Sequence, residues 1–205
     1  MLAAVTLQGN AVTLVPMEPA HIPELYVAAD YEPIWTYLPY PMRSLDDMQA
    51  VVTEALEQKE EGGELPFVVK DAETGHIIGS TRYLNISERH RHLEIGWTWY
   101  TPSVWRSPVN TECKYLLLRH AFEELGCVRV QFRADERNER SNNAIRRIGA
   151  TLEGVLRKER VLYSGYIRNT CVYSIIAEEW PELKARFEQQ LLPGVRTSSE
   201  QAVQT

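Results

Sequence analysis

Alternation of apolar and polar residues predicts seven β-strands in the chain. The clearest is the strand of about residues 92–100, where apolar side chains on one side alternate with polar or small ones on the other: Leu93, Ile95, Trp97 and Trp99 against Glu94, Gly96 and Thr98. In the strand of residues 127–133 the inward set is Val128, Val130 and Phe132. The other predicted strands are residues 11–16, 65–70, 77–83, 152–162 and 166–176.

Apolar residues three or four positions apart predict five helices between these strands. The helix of about residues 45–61 has Ser44 as its cap, two aspartates in its first turn and a glycine pair at its end. A second long helix runs from Asn110, the expected cap, to a stop at Gly126. The remaining helices are residues 19–29, 138–148 and a segment that begins at residue 178.

The order of these elements favours an α+β fold. It reads strand, two helices, three strands, helix, strand, helix, two strands, helix, without the strict alternation of a doubly wound sheet. With 205 residues and no internal linker, residues 1–192 are expected to form one domain. The polar segment of residues 193–205 is expected to be a disordered tail.

Composition excludes several classes of protein. Hydrophobic residues at 44% and charged residues at 24% are typical of a globular chain. Lys and Arg number 22 against 28 Asp and Glu, a net charge of −6 that disfavours a nucleic-acid partner. No apolar run is long enough to span a membrane, and no signal peptide is apparent. Three widely spaced cysteines favour a reducing compartment, so a cytoplasmic location is expected.

Two segments have patterns that suit a binding site. Residues 94–112 run from a strand through a loop into a helix start, where unpaired N–H groups and the positive end of the helix dipole attract anions. Residues 135–150 are polar, with Asn138 as a helix cap and Ser141 in the first turn. Both segments could equally be ordinary capped helices with solvated faces.

Taken together, the two segments resemble the GNAT superfamily of acyl-CoA-dependent N-acetyltransferases. The likeness is closer to its RimJ/RimL-type branch, which includes ribosomal-protein N-terminal acetyltransferases. It rests on Trp105-Arg106-Ser107-Pro108-Val109-Asn110-Thr111-Glu112-Cys113-Lys114 and on Asn138-Glu139-Arg140-Ser141 followed by Gly149. It covers about residues 10–190.

The resemblance implies a mixed, mostly antiparallel sheet of about seven strands flanked by helices. The third and fourth core strands would part to admit the pantetheine arm of acetyl-CoA, the implied cosubstrate. The residues implied in binding it are Trp105, Arg106, Ser107, Val109, Asn110, Thr111, Asn138 and Arg140.

The phosphate-binding loop departs from the family pattern. The family has glycines near positions 107 and 109, and Pro108 removes a backbone donor, so the phosphate cradle is expected to differ in detail.

The resemblance also implies two catalytic residues. Glu94 matches the position of the general base, although a strand-face glutamate could instead pair with Arg82, Arg91 or another neighbour. Ser141 matches the proton donor of the RimJ/RimL-type branch, although it could merely cap the helix. Many GNAT enzymes have a tyrosine donor where this chain has Ile145.

The expected activity is direct transfer of an acetyl group to a primary amine in a ternary complex. The acceptor could be a protein N-terminus, an amino acid or a small amine, and the acyl group could be other than acetyl. A non-catalytic GNAT-fold module that binds acyl-CoA or a partner is the alternative, favoured by the altered loop and by Ile145.

The sequence also supports expectations about the acceptor site, metal binding and partners. Residues 30–43 would form one wall of the acceptor site, where Asp30 and Glu32 could attract a cationic amine or simply be solvated. No metal is expected, because His90 and His92 lack a third ligand at a suitable spacing. A homodimer is expected by analogy, and no membrane partner is expected.

Overall fold

A computed structural model describes residues 3–194, and the predicted tail therefore lies, from residue 195 onward, outside the described residues. Within this range the strands are β1 (Leu7–Gln8), β2 (Val12–Pro16), β3 (Leu65–Asp71), β4 (Ile77–Ser87), β5 (His92–Tyr100), β6 (Arg129–Asp135), β7 (Thr151–Val161) and β8 (Ile167–Ile176). The α-helices are α1 (Ile22–Ala28), α2 (Leu45–Glu60), α3 (Val109–Arg119), α4 (Glu139–Arg147) and α5 (Trp180–Arg186). Five-residue π-helical segments extend α3 and α5: His120–Glu124 and Phe187–Leu191.

The strands form one mixed sheet in the order β1-β2-β3-β4-β5-β6-β8-β7. All neighbours are antiparallel except β5 and β6, which are parallel. The sheet has eight described strands, one more than the seven predicted. The additional strand is β1, which has two residues and is too short to show an alternating pattern in the sequence. β5 and β6 pair only through His92–Glu94 and Arg129–Gln131, so the two strands part beyond Glu94.

Helices pack on both faces of the sheet and bury two separate cores. On one face, α3, α4 and α5 cover a large core that includes Leu117, Phe132 and Ile145. On the other face, α1 and α2 cover a smaller core that includes Val52 and Trp99. The sheet is therefore a central layer, and a cleft that opens within it can be reached by groups from both faces.

A bulge in β5 overturns part of the predicted alternation. Trp97 has a positive φ of 51°, and the register moves from Arg82 opposite Gly96 to Ser80 opposite Trp99. The extra residue resets the alternation of side chains. Leu93 and Ile95 therefore face the large core and Trp99 faces the small one, so the prediction that all of them share a side is wrong.

Two other predictions at element ends are corrected. Pro108, not Asn110, is the N-cap of α3, because its ring holds φ at −64° and sets the helical turn. Val128 lies before β6 begins and is 37% exposed, so it is not an inward strand residue. The predicted caps Ser44 and Asn138 are confirmed, and their side chains accept the backbone N–H groups three residues later.

A buried carboxylate ties α3 to the edge of the sheet. Glu112 is 1% exposed and accepts the backbone N–H groups of Asn10 at 2.9 Å, Ala11 at 2.7 Å and Val12 at 2.9 Å. These residues form the turn between β1 and β2. A Cβ on Gly9 would lie 2.7 Å from the Glu112 carboxyl carbon, so the close approach requires glycine.

We expect Glu112→Ala to lower the free energy of unfolding by about 3 kcal/mol or more, because it leaves three N–H groups without their charged acceptor. Denaturant unfolding of both proteins measures this. Glu57→Ala, on the exposed side of α2, is the control and should change stability by about 0.5 kcal/mol or less. Equal effects of the two substitutions would contradict the structural role of Glu112.

Candidate active site

The parting of β5 and β6 opens a cleft of about 900 Å³. Its walls come from β5 and β6, from the first turns of α3 and α4, and from the β7–β8 hairpin. Two helix N-termini therefore face one cavity, and their partial positive charges favour anionic ligands there. All of the predicted site residues except Val109 and Thr111 line it: Glu94, Trp105, Arg106, Ser107, Asn110, Asn138, Arg140 and Ser141.

The loop before α3 leaves several backbone donors unused. Ser107 Oγ accepts the Val109 N–H at 3.3 Å, and the Val109 side chain is buried in the large core. By contrast, the N–H groups of Arg106, Asn110 and Thr111 have no acceptor within residues 3–194. Such groups at a helix start are suited to an anion, and they are present here despite the missing glycines and Pro108. Arg106 adopts the left-handed conformation, with φ of 63°, that a glycine would take without strain.

Trp105 organises the side chains around this loop. Its Nε1 donates to the Tyr100 carbonyl at 2.8 Å, which fixes the indole. Tyr31 meets the ring edge-on at 5.5 Å, and the Arg140 guanidinium lies 4.0 Å from the ring centroid. Arg147 donates to Thr111 Oγ1 at 2.7 Å and so links α4 to α3. These arginines bring positive charge to the α3 end of the cleft.

Asn138 and Ser141 have different roles in the first turn of α4. Asn138 Oδ1 accepts the Ser141 N–H at 3.0 Å, so Asn138 is the cap. The Ser141 hydroxyl makes no hydrogen bond within the described residues and lines the cleft. Asn142, which the sequence analysis did not single out, is buried and donates to the carbonyls of Asp135 and Asn138, both at 2.8 Å. It holds the turn that presents Ser141.

Glu94 is held at one oxygen and open at the other. Its Oε2 accepts from Asn85 Nδ2 at 3.0 Å and Gln131 Nε2 at 3.3 Å, and lies 3.5 Å from Arg133 Nε. Glu94 pairs with neither Arg82 nor Arg91. Arg82 bonds instead to Glu64, at 3.0 Å, on the same face of the sheet. Oε1 accepts no hydrogen bond from the described residues. A carboxylate fixed in this way can accept a proton at Oε1.

Lys114 is a cleft residue that the sequence analysis quoted but gave no role. It is 7% exposed, and its Nζ donates to Thr98 Oγ1 at 2.7 Å. Burial lowers the pKa of its ammonium to about 8. The signal available in the sequence was a charged residue inside the apolar run of α3, between Cys113 and Tyr115.

Cys113 and the metal-ligating residue types are other candidate sources of chemistry within residues 3–194. Burial raises the pKa of the Cys113 thiol to about 12, which removes the thiolate that nucleophilic or redox chemistry requires. No group of three or more His, Cys, Asp or Glu within residues 3–194 could hold a metal ion. Over the same residues, no helix has the length and hydropathy to span a bilayer.

The segment of residues 30–43 contributes an apolar wall to the cleft. Ile34, Tyr37, Leu38 and Pro39 line it. Asp30 and Glu32 are exposed and lie outside the lining, so they do not supply negative charge to the cavity.

Residues 11–151 match the family model described as "Acetyltransferase (GNAT) domain". The uncharacterized N-acetyltransferase YoaA of Bacillus subtilis (strain 168) is 30% identical over 122 residues, which cover 60% of this chain and 67% of that protein.

Solved structures have the same fold over nearly the whole chain. A proposed acetyltransferase from T. thermophilus is 37% identical with a TM-score of 0.83, covering 93% of this chain and 100% of that one. A GCN5-related N-acetyltransferase from Brucella melitensis is 26% identical with a TM-score of 0.86, covering 94% of this chain and 87% of that one.

Because the pKa of Lys114 is lowered in the folded protein, we expect the free energy of unfolding to depend on pH. Its pKa is about 8 in the folded protein against 10.5 for an ordinary lysine, so the unfolded chain binds more protons between these values. Stability should therefore rise with pH in that window, by about 3 kcal/mol relative to a Lys114→Met variant. Denaturant unfolding of both proteins from pH 7 to 10.5 measures the difference, and parallel pH curves would contradict it.

Proposed function

The chain belongs to the GNAT acetyltransferase family, and from this premise we propose that it moves the acetyl group of acetyl-CoA directly to a primary amine. Both substrates would occupy the cleft at once, in a ternary complex. The acceptor would be a protein N-terminus, an amino acid or a small amine. The observation that carries this proposal is Glu94, whose Oε2 is fixed by three polar side chains while Oε1 is left to receive a proton.

The residues around the start of α3 fit the pyrophosphate of acetyl-CoA. The open N–H groups of Arg106, Asn110 and Thr111 are suited to its phosphate oxygens, with Arg140 held nearby on the Trp105 ring. Asn138 caps α4 with Oδ1, which leaves its Nδ2 available to an amide of the pantetheine arm. When bound, acetyl-CoA supplies the activated acyl thioester.

Glu94 would act as the general base. The α-amine of a peptide has a pKa of about 7.7–8.0 and is mostly protonated at pH 7, whereas attack on a carbonyl requires the free amine. Glu94 Oε1 takes that proton directly or through one water. Asn85, Gln131 and Arg133 hold the carboxylate during the transfer.

Ser141 would supply the proton that the leaving sulfur takes up. Its hydroxyl lines the cleft and has no competing acceptor within residues 3–194. The Asn138–Asn142 network fixes the turn that carries it. We propose the RimJ/RimL-type branch on the same ground, because that branch has a serine at this place and an Asn-Thr-Glu-Ala-Lys segment that Asn110-Thr111-Glu112-Cys113-Lys114 resembles.

Calorimetric titration with acetyl-CoA tests whether the altered loop holds the cosubstrate. We expect micromolar binding, with free CoA close to it, because most of the affinity would come from phosphate contacts. Thiol release upon addition of amines should follow. Binding without thiol release from any amine or peptide N-terminus would favour the non-catalytic acyl-CoA-binding alternative, and absence of binding would overturn both functions.

We expect Glu94→Gln to lower turnover about 10²-fold or more below about pH 8, with acetyl-CoA affinity retained. The loss should shrink at higher pH, where the amine is already free. Steady-state rates from pH 6 to 9 measure this. Glu159→Gln is the matched control, because it also removes a carboxylate partner of Arg133, at 3.2 Å, and should change turnover far less. Undiminished turnover of Glu94→Gln would remove Glu94 from the role of base.

A further inference from the structure

The carboxylates that line the cleft are already paired with arginine. Glu64 bonds to Arg82, Glu94 and Glu159 both contact Arg133, and Asp135 bonds to Arg137 at 2.8 Å. Because arginine side chains of the protein already pair with them, these carboxylates are poorly suited to bind a cationic ligand.

Arg168 on β8 is in the opposite situation. It lines the cleft and is 8% exposed, and its guanidinium makes no hydrogen bond or close ion pair with any residue in 3–194. Asp135, Glu159 and Glu94 act on it only as more distant charges. Its Nε is fully buried without a partner. Burial lowers the pKa of Arg168 below its usual value, and the charge of Asp135 only partly opposes this. A buried cation without a hydrogen-bonded partner among residues 3–194 is unfavourable, so the site is suited to an anion from outside the protein.

The neighbouring strand adds a second positive charge at the same place. Arg160 on β7 lies directly opposite Arg168 in the strand register, and both line the cleft. Like charges opposite each other destabilise a sheet, and an anion between them removes that repulsion. Arg160 is 45% exposed and lies 3.9 Å from Glu159, so Arg168 is the less compensated of the two.

Arg168 and Glu94 lie on the same face of the sheet. Along β6, Gln131 and Arg133 contact Glu94, and Asp135, two residues further on, is opposite Thr170 of β8. Arg168, two residues before Thr170, therefore lies on this face and lines the same cleft as Glu94. The base and the unpaired guanidinium could therefore contact two ends of one small molecule.

We propose that the acceptor is an amine carrying a carboxylate close to its nitrogen, as a free α-amino acid does, and that Arg168 binds that carboxylate. The guanidinium fork matches a carboxylate with two parallel hydrogen bonds. The amine then lies toward Glu94 Oε1. This inference rests on the proposed acetyltransferase activity and adds the chemical class of its acceptor.

The test compares the free amino acids with their carboxamides as acceptors, by acetyl-CoA-dependent thiol release. We expect the preferred amino acid to exceed its amide in kcat/KM by about tenfold to a hundredfold, the usual strength of a charged hydrogen-bonded pair. Arg168→Gln should remove this preference by raising KM for the acid, while the amide reaction and acetyl-CoA affinity change less than about threefold. The variant should stay folded, because it removes an uncompensated charge.

Arg157→Gln is the matched control, since Arg157 is exposed on the same hairpin and outside the cleft, and should leave both reactions unchanged. Equal reaction of acids and amides, or a preference that survives Arg168→Gln, would overturn the acceptor class and leave the acetyltransferase function standing. Reaction of peptides with an acidic second residue but of no free amino acid would also overturn it. If acetyl-CoA binds but neither these compounds nor any other amine or peptide reacts, the proposed function fails as well.

Discussion

The early separation of β5 from β6 is the constraint on which the rest of the structure depends. Their parallel pairing ends at Glu94, and the bulge at Trp97 bends β5 so that its side chains change faces. Where two strands of a sheet separate, their backbone N–H and C=O groups and polar side chains need other hydrogen-bond partners. Here the starts of α3 and α4 and the polar row of β6 face the gap, so one cavity connects the two sides of the sheet.

The two ends of that cavity differ in how they attract charge. At the α3 end the attraction comes from backbone N–H groups, whose positions are set by the helix and not by flexible side chains. At the β8 end it comes from Arg168, whose buried Nε has no hydrogen-bond partner among residues 3–194. Glu94 lies on β5 at the point where the strands part, and its donors Asn85 and Gln131 come from the strands on either side. The pairing of the strands thus sets the positions of Glu94 and of the two side chains that donate to it.

The sequence predicted those features that depend on neighbours along the chain. Element order and the caps Ser44 and Asn138 follow from local signals and are confirmed. The bulge at Trp97 could not be predicted, because one inserted residue reverses the alternation without changing its composition. Burial of Lys114 and Arg168 arises from elements distant in sequence, and so do the partners of Glu94. The family resemblance pointed to Glu94 and Ser141. It could not show that Glu94 Oε1 and the Ser141 hydroxyl make no hydrogen bond within residues 3–194.

Glu112 gives the start of α3 a rigidity that the loop sequence before it does not suggest. The loop before α3 lacks glycines, but the helix itself is anchored by three hydrogen bonds to the β1–β2 turn. Its first turn is therefore ordered before any ligand arrives, and the entropy of fixing those donors has already been lost during folding. Binding at such a preorganised site loses little further freedom, which offsets the smaller number of donors that Pro108 leaves.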